Sequence, residues 1–239
     1  MPLQFLYVAG IVFFGVVAHS ILGFGVALIC MPLLILVLTP VSAAAFVALF
    51  TVPLQLIIIW RYRHALRLRP FWRVIVGTVL GAPLGVLLIA HLDERIILSA
   101  LGIFLIAYAL YNLLNLRLPR IRQPKWDFSF GLASGILSGA YNTGGPPLVI
   151  YGTSLGWSPE EFKANLQALF MLNSFLVIIL HLIAGHIDTL VLEHLLVSLP
   201  VIAVGTALGF WLSRYINEAL FRKCVLVLLL VVGAHLLFP

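Results

Sequence analysis

"SGAYNTGGPPLVIY", residues 138–151, sets helix breakers and polar side chains in the middle of an uncharged run. It packs three glycines, two prolines, an asparagine and a threonine between apolar flanks. Gly and Pro punctuate helices, yet the surrounding composition is that of a segment in lipid. Broken backbone cannot turn to water for hydrogen bonds at that depth. The fold has to supply them.

The rest of the chain agrees about the solvent. Hydrophobic residues make up 63% of it and charged residues 9%, against about 45–50% and about 25% in a soluble domain. No Asp, Glu, Lys or Arg precedes Arg61. Apolar stretches recur that are long enough to cross a hydrocarbon core of about 30 Å, so the chain reads as a polytopic integral membrane protein. Met1 to Gly10 lacks a basic leader, and the apolar run extends beyond signal-peptide length, so no cleavable signal is expected. Cys30 and Cys224 lie in apolar segments and read as buried thiols. The net charge of +6 is assigned to cytoplasmic loops rather than to nucleic acid. No phosphate-binding loop is present, and no cofactor is expected.

Eight apolar segments emerge. Six have simple spanning length, at about 41–60, 74–90, 96–116, 164–184, 190–213 and 219–238. The first and fifth, 3–38 and 128–158, are too long for one crossing at 1.5 Å per residue. Both are interrupted near the middle, by "GFG" at 23–25 and "NTGGPP" at 142–147. Other features recur in order. "TP" at 39–40 answers "SP" at 158–159, "ALF" at 48–50 answers "ALF" at 168–170, and "VGTVLG" at 76–81 answers "VGTALG" at 204–209. The expected fold is all-α, with eight hydrophobic segments in two homologous four-segment repeats. The expected divisions are 1–118, a basic cytoplasmic linker at 119–127, and 128–239.

Parity decides the orientation of the repeats. If each long segment crosses once, the halves are parallel; if each turns back, three crossings remain per repeat and the halves are inverted. With the basic 61–73 and 117–127 stretches in the cytoplasm, the parallel arrangement leaves five Lys/Arg outside. The inverted one leaves only Arg95 there. The positive-inside rule therefore favours inversion.

A re-entrant break creates helix ends, whose free N–H groups and dipole attract anions. Asn142, Thr143, Gly144 and Gly145 are the candidate cargo contacts, with Tyr141 beside them and Gly23 and Gly25 in the first half. His19, near the first break, is the candidate for proton coupling. Asn165, Gln167, Asn173 and Ser174 put further polar groups along the sixth segment, where solvation at its polar start accounts for Asn165 and Gln167; for the deeper Asn173, and for Thr51 and Gln55 in the second segment, interhelical hydrogen bonding is the favoured role. "GILSG" at 135–139 is also a small-residue packing pattern. His181, His186, Asp188, Glu193 and His194 lack compact ligand spacing, so no metal site is assigned.

"GAYNTGGPPLVIY" at 139–151 and "HSILGFGVALICMPLL" at 19–34 resemble the two half-signatures of the TauE/SafE-type sulfite exporter family. The resemblance extends over nearly the whole chain in length and segment order. It implies export of sulfite or a small organosulfonate across a prokaryotic cytoplasmic membrane. The residues themselves point to a secondary transporter for a small anion, working by alternating access around the two breaks. A passive anion channel and a membrane-embedded enzyme or assembly factor are the alternatives; no paired-carboxylate or Ser-His-Asp pattern favours the enzyme. The expected partners are a small anion and membrane lipid, and the small-residue patterns permit a homodimer.

Overall fold

A computed structural model describes residues 2–67, 71–114 and 124–237, and among these the chain is entirely helical. The first five helices are α1 (Pro2–Leu22), α2 (Val26–Leu34), α3 (Pro40–Tyr62), α4 (Trp72–His91) and α5 (Glu94–Leu113). The second five are α6 (Pro124–Tyr141), α7 (Gly145–Leu155), α8 (Pro159–Ile183), α9 (Thr189–Leu212) and α10 (Glu218–Leu237). Seven helices are long and apolar enough to cross a membrane: all except α2, α6 and α7. Large side chains such as Leu6, Trp60, Ile183 and Leu196 project from the surface. That outward-facing apolar coat suits a bilayer as solvent.

Local chemistry sets the helix starts. Thr39 caps α3 by accepting from the Ser42 N–H, with Pro40 at the first helical position, where its missing N–H forfeits nothing. Ser158 and Glu161 form a reciprocal capping box at the start of α8, two orphan donors satisfied together. That box starts α8 at Pro159, five residues before the apolar run. Asp93 caps α5 by accepting from the Arg95 N–H, and Asp188 caps α9 by accepting from the Val191 N–H.

Both long segments double back on themselves. Along the first, the Val26 N–H meets His19, Cys30 Sγ contacts the Ile11 carbonyl, and Gln4 reaches the Val37 carbonyl. Each step forward on α2 is a step back on α1, which is an antiparallel hairpin. Along the second, Ser134 reaches Gly144 and the Tyr151 hydroxyl reaches Asp127. The two ends of each segment therefore lie close together.

The helix pairings have an order of their own. α1 packs on α9 and α4 on α6, while α3 packs on α8 and α5 on α10. Exchanging the first five helices for the last five turns the α1–α9 pairing into the α4–α6 pairing and leaves the other two unchanged. The α4–α6 seam is the closest. Gly77, Gly81 and Gly85 face Gly131, Gly135 and Gly139, and a Cβ on any of them would strike backbone of the facing helix. Glycine at every fourth residue brings two backbones into contact, so "GILSG" does serve packing. Thr78 adds a hydrogen bond to the Gly131 carbonyl, at 3.2 Å.

Two expectations need correction or trimming. Cys30 is buried against α1, but Cys224 is exposed, because it lies on the outward side of α10. Of the linker placed at 119–127, residues 119–123 lie outside the described residues, and 124–127 already belong to α6.

Candidate functional site

Glycine and asparagine dihedrals build the two breaks differently. At the first, Gly23 (φ 78°) and Gly25 (φ 96°) occupy the left-handed region, which a Cβ makes costly. The Gly23 N–H closes α1 onto the His19 carbonyl, and the Gly23 carbonyl accepts from Gln167 Nε2 at 2.8 Å. At the second break the left-handed residue is Asn142, at φ 51°; asparagine is the side chain that best tolerates that region. Gly144 has an ordinary φ of −65°. It is glycine for space: a Cβ there would meet Ser134 and Ser138.

The breaks meet. Gly25, Val26, Ala27 and Leu28 from the first line a cavity of about 40 Å³ together with Asn142, Thr143, Gly144 and Gly145 from the second. Thr51 and Gln55 of α3 and Phe170, Asn173 and Ser174 of α8 complete the wall, with His19 and Ser138. No Asp, Glu, Lys or Arg is among these lining residues. Space of this size holds a few water-sized groups.

Each break contributes its own kind of donor. At the start of α2, the N–H groups of Ala27 and Leu28 precede the first intrahelical bond, which runs from Ile29 to Gly25. They are the orphan donors of a helix N-terminus. α7 also begins at the cavity, but Pro146 and Pro147 follow Gly145 and have no N–H to give. Its contribution is the Gly145 N–H, the positive end of the helix dipole and the Thr143 hydroxyl. That hydroxyl is buried and without a partner in the protein.

Side chains of α8 brace the structure. Asn173 Nδ2 donates to Ser134 (3.0 Å) and Ser138 (2.8 Å), and Ser134 passes its proton to the Gly144 carbonyl at 2.8 Å. Gln55 Nε2 donates to Ser174 at 3.0 Å, and Ser174 lies 3.2 Å from the Thr51 hydroxyl. His19 is braced twice: the Val26 N–H approaches Nδ1 at 3.4 Å and Gln167 Nε2 lies 3.2 Å from Nε2. A neutral imidazole has one acceptor nitrogen and a protonated one has none. The ring therefore accepts from one of these two donors, and protonating His19 would release that one.

Of the residues singled out from sequence, Asn142, Thr143, Gly144, Gly145, Gly25 and His19 line the cavity. Tyr141 and Gly23 do not. The Tyr141 hydroxyl donates to the Ile97 carbonyl at 3.0 Å, and Gly23 faces the Lys163 side chain. Thr51, Gln55, Asn173 and Ser174 form the expected interhelical hydrogen bonds and line the cavity as well. Their isolation in apolar spans was the available signal. Phe170 gave none, since one aromatic among many carries no pattern.

Comparison with known proteins bears on what this arrangement carries. The family model "Sulfite exporter TauE/SafE" matches residues 7–236. A probable sulfite/organosulfonate exporter TauE of Cupriavidus necator is 27% identical over 177 residues, 70% of this chain and 69% of the relative. A probable inner membrane transporter protein TsaS of Comamonas testosteroni is 27% identical over 172 residues, 71% of this chain and 72% of the relative. No solved structure matches. With nearly its whole length matched, the chain belongs to the TauE/SafE sulfite exporter family, whose members are transporters and not enzymes.

Proposed function

We propose that this protein is a secondary transporter that exports a small sulfur oxyanion, sulfite or a small organosulfonate, across a prokaryotic cytoplasmic membrane. One observation carries the reading: two broken helices from different halves of the chain aim their N-termini and polar groups into one charge-free cavity. Backbone N–H groups and helix dipoles hold an anion without a countercharge. Such a site also lets its cargo go. Ala27 and Leu28 N–H, Thr143, Asn142, Gly144 and Gly145 would contact the anion. The names of the relatives supply the sulfur chemistry.

The motion follows from the hairpins. If each enters and leaves on one face, three spanning helices remain per half, and the two repeats are inverted. The exchange symmetry of the helix pairings and the side-by-side breaks support that topology. Rocking one repeat against the other around a fixed central site then gives alternating access. His19 provides a coupling route, since a proton on its ring would displace the donor it accepts, the Val26 N–H or the Gln167 amide, and both of these hold the first break.

Counterflow of radiolabelled sulfite in proteoliposomes tests this, comparing the wild type with the N142A/T143A pair. Saturable exchange in the wild type, reduced at least tenfold in a variant that remains folded, is the expected result. Unchanged exchange in the variant moves the site elsewhere. Single-channel currents in place of exchange would identify a channel. In His19→Gln, the acid-stimulated part of turnover should disappear; an unaltered profile removes His19 from coupling.

A further inference from the structure

The residues that line the cavity carry acceptors as well as donors, and their hydrogen-bond network fixes which is which. Asn173 and Gln55 are among them, and both are buried. Ser134 spends its only proton on the Gly144 carbonyl, so the Asn173 atom 3.0 Å from Ser134 must be the amide nitrogen. That leaves Asn173 Oδ1 over. The same logic applies on α3. The Thr51 hydroxyl donates to the Ala48 carbonyl at 3.1 Å, so the Ser174 proton goes to Thr51, and Ser174 in turn accepts from Gln55 Nε2. That leaves Gln55 Oε1 over. Neither oxygen has a partner in the protein, and both are buried.

Two buried carbonyl oxygens without a protein partner are costly unless something donates to them. A fully deprotonated oxyanion cannot, because it only accepts. It would meet the Thr143 hydroxyl and the N–H groups of α2 well and be repelled by both amide oxygens. We infer that the cargo recognised here is a monoprotonated oxyanion, hydrogensulfite rather than sulfite dianion, whose single O–H donates to the Gln55 amide oxygen and removes one of the two repulsions. This narrows the proposed cargo to its sulfite alternative, against a sulfonate with no O–H, and rests on that reading. A protonated cargo also needs less compensating charge, which agrees with a lining that has no Lys or Arg. His19 is the titratable side chain of that lining, so its effect has to be separated from that of the cargo.

Kinetics make the separation. Sulfite counterflow is measured across the pH range in which sulfite takes up its proton. KM for total sulfite should then rise with pH, approaching about tenfold per unit once the dianion dominates, yet stay constant when expressed as hydrogensulfite. This KM dependence should persist in His19→Gln, where only turnover changes, and flatten in Gln55→Met, which keeps the shape and removes the acceptor. A KM for total sulfite that does not depend on pH overturns the inference.

A binding panel on the purified protein stands independently of flux. Thermal stabilisation by hydrogensulfite, bicarbonate and dihydrogenphosphate is compared with that by sulfate and methanesulfonate. Stabilisation by the donor-bearing anions, lost in Gln55→Met, supports the inference even if sulfite transport itself were absent. Equal responses from both groups, or none from either, overturn it. Absence of wild-type sulfite and sulfonate flux sinks only the export reading.

Discussion

The two breaks look alike in sequence, and they use glycine for opposite reasons. At Gly25 a Cβ would meet nothing within 4 Å, but φ is 96°. The glycine there is a backbone requirement. At Gly144 φ is unremarkable, and a Cβ would collide with Ser134 and Ser138. The glycine there is a packing requirement, and the left-handed turn has passed to Asn142. The donors differ in the same way: the first break offers the N–H groups of Ala27 and Leu28, while paired prolines leave the second only the Gly145 N–H and a threonine hydroxyl. A shared outline therefore does not imply shared contacts. The cavity wall is asymmetric although the hairpins are alike.

Substitutions can test that contrast, beginning with the largest expected effect. Gly144→Ala forces a methyl against α6 backbone, and overpacking of this kind costs about 3 kcal/mol. Thermal unfolding in detergent should show it as the strongest loss in the series, with transport abolished. A Gly144→Ala protein of normal stability would mean that α7 stands farther from α6. Gly25→Ala should cost about 1–2 kcal/mol from left-handed strain alone. Gly25→Asn should recover part of that, since asparagine accepts such dihedrals. Equal losses in both variants would point to crowding and break the comparison.

Asn142 gives a finer test, because it combines a dihedral with a cavity-lining side chain. Asn142→Gly should leave stability within about 0.5 kcal/mol of wild type, whereas Asn142→Ala should lose about 1 kcal/mol. Both should weaken transport if the amide touches cargo. Transport retained in Asn142→Gly would reduce the residue to a turn former. Gly145→Ala should change least. Its Cβ would sit 3.5 Å from the Phe170 ring, an ordinary contact, so stability should hold within about 0.5 kcal/mol. Any loss should appear in KM for the anion, read by counterflow.

What a sequence determines is what depends on neighbours along the chain. Composition fixed the solvent, because burying 63% hydrophobic residues in water-facing elements has no solution. Gly23, Gly25 and the 142–147 cluster located the breaks, since helix propensity and the absent proline N–H act over a few residues. His19, Asn142 and Thr143 could be nominated for the same local reason.

Contacts between distant parts of the chain were another matter. Only the tertiary structure decided that Gln55 meets Ser174 across 119 positions. It also decided that Tyr141 turns away to Ile97 and that Phe170 closes the cavity. The most telling case is Asn173. In sequence it is one polar residue in an apolar span; in the fold, the committed proton of Ser134 fixes which way its amide points. Such an assignment follows from hydrogen-bond geometry between helices, and no local pattern encodes it.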